Sequence, residues 1–129
     1  MSRPVPRLSP ENFEVLVVEA VASLPVYFQE KLENIEILVA IWPSSMEMNR
    51  AGVLPGSLLL GLYQGIPRTE AAASDQPRDL DRVILFRRNL QRVCRSRTEL
   101  IEQVEITVRH EVGHHLGFDE DQLERLGLG

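Results

Sequence analysis

His110, Glu111 and His114 carry the most specific chemistry in this sequence. They stand as His110-Glu111-Val112-Gly113-His114, two imidazoles four positions apart with a carboxylate directly after the first. On a helix the two histidines are about 40° apart around the axis and one turn apart along it, so both rings can reach one cation. Glu111 is offset by about 100°, near enough to a water on that cation to take its proton without becoming a ligand. The donor set suits zinc, one ion per chain, although two imidazoles and a carboxylate also accept iron, cobalt or nickel. An HExxH match arises by chance in roughly one chain of this size in a few hundred; here it gains weight from a predicted helix in the right phase, a glycine at its end and an acidic cluster beyond.

A catalytic zinc centre takes three protein ligands and keeps the fourth position for water. The chain has three histidines, and the remaining one, His115, lies about 140° from His110, on the side of Val104 and Val108. That phase makes it a packed or supporting histidine. Cys94 lies before the start of the helix and reads as a buried, inert thiol. Carboxylates after the helix remain. Gly117 can end the helix in a left-handed conformation and turn the chain back, and Asp119, Glu120, Asp121 and Glu124 are the acidic residues beyond it. Glu120 stands where the longer pattern HExxHxxGxxH carries its last histidine, so Glu120 is the expected third ligand, with Asp119 and Asp121 as alternatives. Gln103 and Thr107 fall on the metal side upstream, where they would line a cleft or bond to a ligand imidazole.

The helix that must hold this group opens with a capping box, Ser96 and Glu99, and runs to Gly117. Ile101, Val104, Val108 and Val112 fall between about 120° and 200° from His110, so the core face and the metal face are separate. At the other end of the chain Ser9, Pro10 and Glu11 start a helix whose face is Phe13, Leu16, Val17, Ala20, Val21 and Leu24. Pro25 ends or bends it, and a second short helix passes through Phe28 and Leu32 to Asn34. Ile35, Ile37, Val39 and Ile41 then alternate in a mostly buried strand closed by Pro43. A loop of Ser, Met, Asn and Gly leads to the turn Leu54-Pro55-Gly56. Ser57 to Tyr63 is a second strand, where Gly61 and Gly65 imply close approach of other backbone or of a ligand. Residues 66–80 form an exposed loop, Arg82 to Leu90 a third strand, and Asp119 to Leu126 a short final helix. The coarse picture is helices enclosing a small three-stranded sheet.

With 129 residues and an ordinary share of apolar and charged side chains, the chain reads as one domain, with residues 1–8 as a mobile arm. A net charge of −5 gives no attraction to nucleic acid or to anionic membranes. The arginine-rich run from Arg87 to Arg97 reads as a solvated strand and helix start. Cys94 is the only cysteine, so no intrachain disulfide forms. The amino terminus has no apolar segment of signal-peptide length, and Val15 to Phe28 is broken by Glu19 and Pro25 short of a membrane span. A soluble cytoplasmic protein is expected.

The residues also resemble a known family, the small bacterial zincin-like metallopeptidases, minimal one-domain zincins formerly classed as a domain of unknown function. The resemblance runs through Phe13 to Pro25, Gly61-Leu62-Tyr63-Gln64-Gly65-Ile66-Pro67, Ile84-Leu85-Phe86-Arg87-Arg88, and Val108 to Gly117. It implies an α+β fold with a small mixed sheet of three to four strands over the zinc-binding helix, N-terminal helices and a short C-terminal helix. It implies metal on His110 and His114, and Glu111 as the catalytic glutamate; the family usually has aspartate where Glu120 stands. Two functions follow. In the first, the protein hydrolyses peptides or unfolded protein segments, with Glu111 as general base, the edge near Gly61 to Gly65 receiving the chain, and Tyr63 as an oxyanion donor or a strand aromatic. In the second it is a zinc-stabilised interaction domain with little proteolysis. Only a dozen residues follow the motif, so a protein partner or self-association would complete the cleft.

Overall fold

The computed structural model describes residues 8–54, 56–65, 81–115 and 120–125. Among them are six helices and three strands: α1 (Pro10–Ala22), α2 (Val26–Lys31), β1 (Ile35–Ala40), α3 (Ser45–Ala51), β2 (Gly61–Gln64), β3 (Asp81–Phe86), α4 (Arg87–Val93), α5 (Arg97–His115) and α6 (Glu120–Arg125). The sheet order is β1-β3-β2, with β1 parallel and β2 antiparallel to β3. This is the α+β class with a small mixed sheet that the sequence implied. The arm at 1–7, the loop at 66–80, Pro55, Gly117 and Asp119 lie outside the described residues. Leu8, assigned to the arm from sequence, packs against the core.

Local chemistry sets the helix ends. Ser9 accepts from the Asn12 N–H at 3.1 Å and Pro10 occupies the first turn, so α1 starts where its free N–H groups find an acceptor. The predicted face is buried: Phe13, Leu16 and Ala20 are fully enclosed, Val17 and Leu24 nearly so, with Val21 partly covered. Each large side chain enclosed this way contributes roughly 1.5–3 kcal/mol. The long helix α5 opens on Ser96, whose Oγ accepts from the Glu99 N–H at 3.1 Å; the Glu99 carboxylate reaches back to the Arg95 N–H. Its buried stripe is Leu100, Val104, Val108 and Val112, with Ile101 half-covered. α5 packs on α1 along this stripe and lies against β2 and β3.

The central strand β3 buries Val83 and Leu85 completely, whereas β1, at the sheet edge, is only half-buried. The expectation of a mostly buried first strand is corrected by that edge position. Three further stretches differ from the sequence reading. The stretch expected as loop after Pro43 contains α3, started by a reciprocal box in which the Glu47 N–H donates to Ser44 Oγ at 3.1 Å and the Ser44 N–H to Glu47 Oε1 at 2.8 Å. It stops at Gly52, in the left-handed region at φ 68°. The third strand also ends early: at Arg87 the chain passes directly into α4, held by the Arg88 N–H to Ile41 O at 3.2 Å and by the buried Asn89 amide to Leu59 O at 2.9 Å. The second strand, expected from Ser57, begins at Gly61. None of the described helices is long and apolar enough to cross a membrane.

Candidate metal centre

α5 places His110, Glu111 and His114 in its last turns, off the buried stripe that runs through Val112 and holds it to the core. The two imidazoles lie nearly parallel, ring centres 6.1 Å apart and planes within 6° of each other. Two rings sharing one zinc ion, with metal–nitrogen bonds of about 2.0–2.1 Å, can have their centres up to roughly 6.4 Å apart, and about 5 Å at a tetrahedral angle. The observed spacing lies near the open end of that range. For the pair to share a single cation the rings must draw together by about an ångström and rotate so that each turns a nitrogen to it.

Glu111 points toward the sheet. The ladder bond from the Phe86 N–H to Leu60 O at 3.0 Å fixes the phase of the β2–β3 pair, so Leu62 bonds to β3 while Gly61 and Tyr63 turn their backbone groups away from it. The outward Tyr63 N–H donates to Glu111 Oε2 at 3.3 Å. Burial pushes the Glu111 carboxyl above its ordinary range, against smaller opposing effects of that N–H and of His114. A carboxyl that binds its proton more firmly than usual, beside two potential ligands, is suited to general acid–base work.

β2 is brought this close to α5 by missing side chains. A Cβ on Gly61 would lie 2.6 Å from Thr107 Cγ2, and one on Gly65 would lie 3.1 Å from the His115 ring and 3.3 Å from the Tyr63 ring. The close approach inferred from these glycines is made by backbone at Gly61, where a Cβ would also lie 3.3 Å from Ile84 O, and by side chains of α5 and Tyr63. Thr107, expected on the metal side, is buried against Gly61, and its hydroxyl donates to Gln103 O at 2.8 Å. His115 does not enter the core with Val104 and Val108; its ring stacks on Tyr63 at 3.8 Å and 17°. Tyr63 is a half-buried strand aromatic whose hydroxyl donates to Asp81 Oδ2 at 2.8 Å, and His115 Nε2 is 3.6 Å from the same oxygen. Asp81 drew no attention in the sequence, because only the strand register brings it under Tyr63. Cys94 is buried as expected, and desolvation, with Glu99 nearby, raises its thiol pKa.

Among the described residues no three His, Cys, Asp or Glu side chains gather closely enough to hold a metal. Asp121 and Glu124, both exposed, do not join the histidine pair. Asp119 and the side chain of Glu120 lie outside the described residues. A family model described as a zincin-like metallopeptidase matches residues 32–129, which includes the whole of α5. The chain belongs to the zincin-like metallopeptidase family. A solved structure of a conserved hypothetical protein from T. thermophilus shares the fold, with a TM-score of 0.53 and 22% identity over 84% of this chain and 94% of that one. No curated protein matches the chain.

Proposed function

We propose that this protein is a zinc-dependent hydrolase of peptides or unfolded protein segments, working in the cytoplasm. His110 and His114 hold the metal, Glu120 is the third ligand, and Glu111 is the general base. The observation that carries this reading is the Glu111 carboxylate, half-buried one residue after His110 and held from the sheet by the Tyr63 N–H. A metal site serving structure alone has no use for a base in that place. When bound, zinc supplies a Lewis acid that polarises the scissile carbonyl and makes a water acidic near neutral pH. Glu111 does the proton work: with Oε2 held by the Tyr63 N–H, its Oε1 takes a proton from the attacking water and delivers it to the leaving amine. Burial favours this cycle, because a carboxyl with a raised pKa keeps the proton until the amine needs it.

A second reading, a zinc-stabilised interaction domain, draws on the exposed apolar side chains Val18, Val26, Tyr27, Ile41 and Trp42, which a protein partner or a second copy would cover. One experiment separates the two. Zinc-loaded protein and its Glu111→Gln variant are incubated with an unfolded protein and a mixed peptide library. Cleavage by the parent, reduced a hundredfold or more in the variant at equal zinc content, is the expected result. Equal zinc with cleavage by neither leaves the interaction reading.

A further inference from the structure

Tyr63 is gripped at three points. Its hydroxyl donates to Asp81 at 2.8 Å, its ring lies on His115 at 3.8 Å, and its backbone N–H donates to Glu111 at 3.3 Å. The three partners come from different places: Asp81 from the start of β3, two residues from Val83, the direct cross-strand partner of Tyr63; His115 from the last residue of α5; and Glu111 one turn earlier on the same helix. Asp81 and Tyr63 are a diagonal pair on one face of the sheet, a separation that a tyrosine side chain spans. Gly65 supplies the space, since a Cβ there would press on both stacked rings.

From this arrangement we propose that Asp81 and His115 are positioning residues for the hydrolysis proposed above. They hold the Tyr63 ring from its hydroxyl end and from its face, and through Tyr63 they fix the backbone N–H that aims the Glu111 carboxylate. The bond to Glu111 is long and comes from an edge strand, where the phase of one amide depends on how the residue carrying it is anchored. Tyr63 has two side-chain anchors, one on the sheet and one on the helix, so they also set the distance between β2 and the turn of α5 that bears Glu111. Neither Asp81 nor His115 needs to touch substrate or metal for this role. The proposal rests on Glu111 as the base, but the geometry it describes exists before any metal or peptide is bound.

The test uses the full chain with Asp81→Asn, His115→Ala, His115→Phe and Tyr63→Phe. In metal-free protein, hydrogen exchange at the Tyr63 amide, followed by 1H–15N NMR, is expected to quicken about tenfold in His115→Ala and Tyr63→Phe and to return toward the parent rate in His115→Phe, which restores a stacked ring. In zinc-loaded protein kcat is expected to fall about tenfold in Asp81→Asn and His115→Ala with KM and zinc content unchanged, a loss typical of supporting residues around a metal site. An unchanged Tyr63 exchange rate in folded His115→Ala and Tyr63→Phe overturns the proposal, as does loss of zinc as the sole cause of lost activity. A parent protein that cleaves nothing defeats the hydrolase reading while leaving the exchange measurement to decide the grip on Tyr63. Should His115→Ala fail to fold, Tyr63→Phe, which removes one hydroxyl and keeps the ring, carries the decision alone.

Discussion

Glu111 is half-buried, and the consequence for its carboxyl can be measured without metal. Its carboxyl binds a proton more firmly in the folded chain than in the unfolded one, because burial disfavours the charge. The associated stability is therefore fully present at acid pH and is lost as pH rises through the folded-state pKa. Metal-free Glu111→Gln, which cannot ionise, is expected to melt at a higher temperature than the parent at neutral pH, with the gap closing at acid pH; a gap that stays constant or grows on acidification contradicts this. Cys94 offers a simpler check. Its buried thiol has a raised pKa, so the native protein should react with a thiol reagent far more slowly than the denatured protein at neutral pH. Rapid labelling of the native form would place the thiol at the surface.

The contact between β2 and α5 joins the sheet to the helix of the candidate site, and at Gly61 it leaves no room for a Cβ. Adding a methyl there meets Thr107 Cγ2, on a β-branched side chain that is buried and has little rotamer freedom. Gly61→Ala should cost about 1–3 kcal/mol in denaturant unfolding, and Thr107→Ser, which removes the opposing methyl, should recover part of it in a double-mutant cycle. Strict additivity would show that the two do not meet. At α3, Ser44→Ala removes half of the box and should cost about 1 kcal/mol. These elements also show what a sequence makes legible. α1 and α5 can be read because each combines a cap with a long apolar stripe, and His110, Glu111 and His114 because all three lie within five residues of one helix. α3 was missed because it buries none of its residues, leaving only the Ser44–Glu47 box and Gly52 as local signals. The end of β3 was missed because no side chain caps α4 and no glycine or proline marks the junction. The Tyr63–Asp81 and Tyr63–Glu111 bonds span 18 and 48 residues; the register of β2 on β3 creates the first and the packing of β2 on α5 the second.

At the scale of the whole molecule, α5 packs on the core along one stripe that runs through Val112, so the hydrophobic contacts that fold the chain also orient the turns that bear His110 and His114. A metal bound by the folded state alone adds stability in proportion to its occupancy, about 2.7 kcal/mol at a free concentration one hundred times Kd. Zinc should raise the melting temperature of the parent and a chelator should reverse the rise, while His110→Ala and His114→Ala should shift little with either. The most direct test of the central claim is zinc counted by native mass spectrometry on intact protein after metal loading and desalting. One zinc per parent chain and none in the His110→Ala/His114→Ala double variant is the expected result. A parent chain that retains no zinc, or a double variant that still carries one, contradicts the assignment of the metal to this pair.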